Sequence, residues 1–471
     1  MIDPALLPLP PTNPLSYRQR ARAIRSFHNG IDLLRDAGGP VSRVVLGPRW
    51  LMPPIVVASS PRAIHDILTN RDGSLDKTGR VLSEFRRVLG DNLFNLPHEQ
   101  WLPRRRTLQP VFTQHQVRRF AGHMAEAAES VCETWQDGQT IDLDAECRRL
   151  TMRALGYAVL GVDLSEHVSD ITDPLRIALT YVAARSLRPV RAPAWLPTPA
   201  RRRARAASAA LHQLAMGILR RCRANPGIDA PLLRALISAT DPITGKALSD
   251  TEIAAELILF LFAGHDTTAT TLTYAMWQLG RNPELQRHIA AEVDALPKRR
   301  LIPQDVVNLP HTVRVIDEAL RMCPPAATGS RMATRDVAIA GYRVQAGTMV
   351  IFGRLAVHRD PELWREPTTF DPDRFTPQEI RSRDRWQYIP FGAGPRSCIG
   401  ERFAMLELTL GLATFVRRAT VRSLDGVFPV TAPFTMIAEG PIWARVARRE
   451  CPTVTDNGTR DLVARSTVDT H

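Results

Sequence analysis

The 471-residue sequence reads as a mainly α-helical protein with small β-sheets. Helical patterning fills most of the stretch from about Pro61 to Ala295, broken at Pro- and Arg-rich loops. Strand-like runs are short and gather around 44–57, 335–352 and 427–447. Hydrophobic residues make up 44% and charged residues 23%, which is the composition of a folded chain and excludes a mainly disordered one.

Taken in order, Pro-rich residues 1–14 form an extended lead-in. Val44 to Val57 has the pattern of a hairpin, with Gly47-Pro48 near its turn and Ile55-Val56-Val57 in its second arm. The loop from Arg188 to Pro199 holds four prolines and cannot be helix interior, so it joins two helices at roughly 173–187 and 201–223. Ser249 and Glu252 make a capping-box signature, and Asn282-Pro283 closes the segment it opens. The residues between would make a helix of about 45 Å at 1.5 Å per residue. Its centre, Leu257 to Ala263, is apolar nearly all round, as expected of a helix through the middle of a large domain. Gly264-His265-Asp266-Thr267-Thr268 then places polar groups where a core should not hold them without partners. That conflict marks a functional site. Residues 452–471 are polar and expected to be loose. Although a prior of about 150 residues per domain suggests three domains, 15–451 is expected to be one.

Lys+Arg number 61 against 48 Asp+Glu, giving +13, and only Lys77, Lys246 and Lys298 are lysines. The charge is spread along the chain with few aromatics, which favours a solvated basic surface over nucleic-acid binding. The longest apolar run, Ile253 to Gly264, has 12 residues and contains Glu256, whereas a spanning helix needs about 20. The start, Met-Ile-Asp-Pro-Ala-Leu-Leu-Pro, lacks the pattern of a signal peptide. Six cysteines without C-x-x-C spacing argue against disulfides or zinc. A cytoplasmic protein without a transmembrane segment is expected.

The sharpest chemical segment is Phe391-Gly392-Ala393-Gly394-Pro395-Arg396-Ser397-Cys398-Ile399-Gly400, which runs into the helical stretch Glu401 to Val416. Glycines let backbone approach a flat ligand. A cysteine at a helix N-terminus is favoured as thiolate. A thiolate of that kind suits a haem iron that cleaves dioxygen.

On Phe-x-x-Gly-x-Arg-x-Cys-x-Gly, the chain resembles the cytochrome P-450 family of haem-thiolate monooxygenases over nearly its whole length. The resemblance implies the mainly helical P-450 fold and haem b (iron protoporphyrin IX) with Cys398 as iron ligand. It implies Phe391 packed on the thiolate, Gly400 behind the cysteine and Arg396 near a haem propionate. Glu318-Ala-Leu-Arg321, one helix face by its i,i+3 spacing, resembles the family's Glu-x-x-Arg helix. Phe370-Asp371-Pro372-Asp373-Arg374-Phe375 then supplies Arg374 as third member of a structural network. Ala263-Gly264-His265-Asp266-Thr267-Thr268 resembles the oxygen-activation motif. There Gly264 lets oxygen approach, the Thr267 hydroxyl bonds a carbonyl four residues back, and Asp266 passes protons through Thr267 and water. His265 is read as a packed, hydrogen-bonded histidine. Trp101 and Arg105, and Arg331, match propionate-binding positions, while Arg104 and Arg106 are expected to be solvated. His98 and His358 are expected in surface or loop roles. Substrate contacts are implied for the loop at about 78–96, Leu259, Ala263, Thr267, residues 326–329 and the turn Phe434-Thr435-Met436-Ile437. Their apolar character suggests a hydrophobic substrate.

The expected reaction inserts one atom of dioxygen into an apolar C–H or C=C. Only 73 residues follow Cys398, so no flavin reductase is expected in the chain. Reducing equivalents from NAD(P)H would arrive through a ferredoxin-type donor and its reductase, docked near Arg104, Arg106, Arg118, Arg119 and Arg402. A monomer is expected. A haem-thiolate peroxygenase or isomerase, and a haem-binding gas sensor, remain as alternatives.

Overall fold

The computed structural model describes residues 3–449, except 27–28, 49, 51, 162, 165–167, 187–191, 194 and 433. The polar tail 452–471 and part of the Pro-rich loop, 188–191 and 194, lie outside the described residues.

The helices that build the site are α1 (His98–Leu108), α2 (Leu143–Leu160), α3 (Asp250–Arg281), α4 (Pro310–Met322), α5 (Arg354–His358) and α6 (Glu401–Arg418). The main sheet holds β1 (Val41–Val44), β2 (Ile55–Ala58), β3 (Leu75–Asp76), β4 (Thr328–Ala333) and β5 (Met349–Gly353), in the order β1-β2-β5-β4-β3.

α3 starts where its sequence dictates. The Ser249 hydroxyl accepts the Glu252 N–H while the Glu252 carboxylate accepts the Ser249 N–H, so two orphan donors are satisfied at once. Its 32 residues end at Arg281, before Asn282-Pro283. Every residue from Ile253 to Phe262 is buried, because α2, α4, α6 and the helix Pro199–Ala224 surround it.

The hairpin forms with Val41 opposite Ala58 and Val44 opposite Ile55, three residues longer at its start than the sequence suggests. β2 pairs with β5 in parallel, and β4 is antiparallel to β5 and to β3. β4 begins at Thr328, earlier than the expected 335. Val337–Ile339 pairs with Tyr342–Val344. Late in the chain Trp443–Arg448 lies between Thr140–Asp142 and Ala419–Ser423. The Pro-rich loop separates Val168–Ser186 from Pro199–Ala224. Pro199 is thus the first residue of a helix, where its missing N–H costs nothing, and Thr198 caps it.

One large apolar core joins α1, α2, α3, α4 and α6. A second packs the sheet against the helix Pro61–Leu68. The cysteine segment runs between these two cores, from Ile389 in the second to Phe403 in the first.

Candidate active site

Cys398 lies two residues before Gly400, the N-cap of α6. Its N–H donates to the Phe391 carbonyl at 2.9 Å, which folds the segment into a closed loop. Gly392 and Gly394 both sit at φ 70°, in the left-handed region that glycine tolerates. Gly394 is required twice over, since a Cβ there would lie 1.9 Å from the Leu68 carbonyl oxygen. Phe391 is half-buried against the main core. Cys398 is accessible, although protein surrounds it closely enough for burial to push its thiol pKa up. The sulfur therefore lines a recess and not the outer surface. The Gly400 N–H, Arg105 and Arg354 act in the opposite direction on that thiol.

On α3, Ala263 is exposed although the preceding ten residues are buried, so this turn faces open space. The Thr267 hydroxyl donates to the Ala263 carbonyl at 2.6 Å. Such a bond to the carbonyl four residues back competes with the helix's own ladder at this turn. Gly264 also serves the packing of α3 on α2. A Cβ on it would meet Leu155 of α2 at 3.3 Å, so its bare face permits close helix packing. Asp266 turns to Arg148 of α2 at 2.6 Å, and Arg148 also bonds Asp144 at 2.6 Å. His265 is buried, with Nδ1 2.9 Å from the Thr151 hydroxyl and Nε2 without a partner among the described residues. Burial lowers its pKa to about 4.

Near the cysteine loop the structure gathers cations. Arg105 donates to the Ser397 carbonyl at 3.0 Å. Arg396 donates to the Leu96 carbonyl and to Asp76, and its guanidinium lies 4.5 Å from the Trp101 ring centroid. Lys77 donates to the Phe94 carbonyl at 2.6 Å. Burial lowers the pKa of Lys77, and repulsion from Arg331, Arg396 and Arg354 adds to it. Burial and mutual repulsion bring Arg331 down to about 9, and burial brings Arg354 and Arg396 to about 10. Among the described residues, Asp76 is the anion that acts on Lys77, Arg331 and Arg396. Arg354 donates to the Ala326 and Thr328 carbonyls but its Nε is buried without a partner among the described residues. A buried cluster so rich in cations fits a ligand carrying carboxylates of its own. The donor set suits haem, with two propionates for the cations and a metal for Cys398.

Glu318 and Arg321 are both fully buried and meet through two hydrogen bonds of 2.6 and 2.7 Å. Arg374 lies 3.5 Å from the same carboxylate, and the Asp371 N–H donates to it at 2.9 Å. Arg321 also donates to the carbonyls of His358, Pro367 and Thr369.

Leu259 and Met436 are buried and Phe434 is half-buried. Phe434 joins Phe85, Phe94 and Phe262 in a cluster with ring centroids 5.2–6.3 Å apart.

Three sequence expectations are corrected. Arg104 is not solvated: it is buried and donates to Glu256 at 2.7 Å and to Glu252 at 2.5 Å. Arg106 is paired with Asp241 at 2.7 Å. Neither offers free charge to a partner. His358 is in no surface loop, since it is fully buried at the end of α5. His98 is half-buried at the start of α1, with its N–H on Asp76. Sequence reasoning missed Lys77, Asp76, Arg148 and Arg354. That Lys77 is one of three lysines in an otherwise arginine-based chain was the one available signal.

The cytochrome P450 family model matches residues 8–441. The chain is 33% identical to cyclooctatin synthase of Streptomyces melanosporofaciens, across 86% of this chain and 88% of that one. It is 31% identical to cyclooctat-9-en-7-ol 5-monooxygenase of the same organism, across 83% and 84%. It is also 31% identical to pentalenene oxygenase of Streptomyces avermitilis, across 84% and 87%. Among solved structures, the cytochrome P450DA heme domain superposes with a TM-score of 0.79 and 26% identity, covering 94% of this chain and 98% of that one.

Proposed function

The chain belongs to the cytochrome P450 family and is a monooxygenase of that type, and on this basis we propose how its own residues serve the reaction. Such enzymes use haem iron, dioxygen, a redox partner and a hydrophobic substrate.

In this proposal Cys398 is the thiolate ligand of haem b, with Phe391 and Gly400 beside it. Trp101, Arg105, Arg331 and Arg396 hold the propionates, and Lys77 and Arg354 extend the same cradle. When bound, the haem supplies the one-electron and dioxygen chemistry. Thr267 offers a hydroxyl at the open turn of α3 beside Ala263 and Gly264, and Asp266 supplies protons to it. Glu318, Arg321 and Arg374 hold the cysteine segment in place. The observation that carries the reading is Cys398, in its glycine loop before α6, beside a cation cluster short of anions.

For substrate, we propose an apolar cyclic terpenoid. The names of pentalenene oxygenase and cyclooctat-9-en-7-ol 5-monooxygenase support that class. So does the cluster of Phe85, Phe94, Phe262 and Phe434, whose half-buried members Phe94 and Phe434 offer aromatic surface and no side-chain hydrogen bond. Leu259, Ala263 and Met436 would complete it. Electrons would come from NAD(P)H through a ferredoxin-type protein and its reductase, to a cytoplasmic monomer in which residues 15–451 act as one unit. The test is incubation with pentalenene and related terpenoids, a ferredoxin, its reductase, NADH and labelled dioxygen. One labelled oxygen atom per product molecule is expected. Substrates that shift the haem spectrum yet never acquire the label would overturn the reading.

A further inference from the structure

We propose that His358 is a positioning residue for the Cys398 loop, tying the Glu318–Arg321 pair to the main chain that carries the cysteine. This rests on the reading of Cys398 as the haem ligand.

Two bonds leave His358 in opposite directions. Its backbone carbonyl accepts the Arg321 guanidinium at 2.8 Å, and Arg321 is itself held by Glu318. Its ring Nε2 accepts the Ile389 N–H at 3.0 Å. A backbone N–H can only donate, so Nε2 must offer a lone pair and the ring proton must sit on Nδ1. Burial keeps the ring neutral, with a pKa lowered to about 3, so the lone pair is always present.

The neighbouring bonds turn this contact into a link. The Trp364 indole donates to the Val357 carbonyl at 3.0 Å, which fixes the turn of α5 before His358. Beyond Ile389, its carbonyl accepts the Gly392 N–H at 2.9 Å, and the Phe391 carbonyl accepts the Cys398 N–H at 2.9 Å. The imidazole also packs on the Tyr388 ring at 5.3 Å, and Tyr388 donates to Asp317 of α4. Two adjacent residues of the cysteine segment are thereby referred back to α4, one of them through His358. Without the imidazole acceptor, the Ile389 N–H would be buried with no partner, and the loop would relieve that cost by shifting.

The experiment compares His358→Phe, which fills the space without an acceptor, and His358→Gln, whose amide oxygen can reach the position of Nε2. In the Phe variant, hydrogen exchange at Ile389 should rise by roughly tenfold, while His358→Gln restores protection. In the haem-loaded fraction of each, the share of the red-shifted carbon monoxide band should fall for Phe and recover for Gln. A merely structural role would lower haem loading and leave that band unchanged. Should the Phe variant not accumulate, nitrogen NMR of wild-type His358 at pH 7 decides, since protonated Nδ1 and bare Nε2 are required. Wild-type exchange and band in His358→Phe, or a proton on Nε2, would overturn the proposal. Failure of the Cys398 reading is seen separately, as a wild-type carbon monoxide spectrum without the thiolate band.

Discussion

The Asp266 carboxylate is held 2.6 Å from the Arg148 guanidinium, across the contact between the central helix and α2. Thr267, next in sequence, spends its hydroxyl proton on the Ala263 carbonyl. The acid and the alcohol are therefore not hydrogen-bonded to each other, and a proton passing between them needs water or a swing of Asp266 away from Arg148. In Asp266→Asn the turnover rate should fall by roughly a hundredfold, the usual scale of a positioned proton donor. In Thr267→Ala, NADH consumption should continue while peroxide replaces product. Measuring peroxide and product against NADH distinguishes the two, and unchanged coupling in Thr267→Ala would contradict a role in proton delivery.

What the sequence disclosed here was local, and what it concealed was tertiary. The glycine spacing around Cys398, the capping box at Ser249 and the Glu318–Arg321 spacing are each written within a few residues, and each forms as read. Arg104, Arg105 and Arg106 look alike in sequence. What separates them are Glu252 and Glu256, Ser397 and Asp241, all more than a hundred residues away. Arg148 escaped notice for the same reason, because nothing near it in sequence points to Asp266. Gly264 was legible as special but not as a packing residue, since only the fold brings Leu155 against it.

Removing one member of the buried Glu318–Arg321 pair should prevent stable folding with haem. Arg321 is fully buried and would keep its charge among carbonyls, the Met322 sulfur and the Trp364 ring, with its carboxylate partner gone. Stranding such a charge costs about 3–5 kcal/mol, against a total stability of about 5–15 kcal/mol. Glu318→Ala should be recovered haem-free or insoluble. A haem-loaded, thermally normal but slow variant would argue against a structural role.

Glu256 gives a pH signature. It is fully buried, and desolvation raises its pKa to about 7 despite Arg104 and the Leu93 N–H, both of which favour its ionised form. The folded state therefore binds this proton more tightly than the unfolded chain does. Its contribution to stability is fully present below about 4.5, the unfolded value, and is lost as pH rises towards 7. Glutamine cannot titrate, so the stability of Glu256→Gln relative to wild type should climb with pH across that window and level off above it. The slope should not exceed about 1.4 kcal/mol per pH unit. Denaturant melts of both proteins at pH 5, 6, 7 and 8 would show it, and a flat difference would contradict it.

The surface offered to an electron donor follows from which arginines are free. Arg104 and Arg106 are committed to Glu256, Glu252 and Asp241. Arg118 and Arg119, at the end of the helix Gln114–Arg118, are exposed, as is Arg402 in the first turn of α6. Phe120 packs on Phe403 at 5.7 Å, which brings the two stretches together beside the cysteine segment. The exposed Glu401 offsets part of this charge without cancelling it. An acidic ferredoxin would be steered here by long-range attraction, and steering is screened by salt. The screening length falls from over about 10 Å near 0.05 M salt to roughly 4 Å near 0.5 M. The rate of first-electron transfer from a ferredoxin should therefore drop by at least roughly tenfold over that range. Arg118→Glu and Arg402→Glu should lower the low-salt rate and flatten its salt dependence without changing substrate affinity. Arg106→Gln serves as the contrast: it should lower the melting temperature by breaking the Asp241 pair and leave the salt dependence intact. A rate indifferent to salt and to both reversals would show that the donor docks elsewhere.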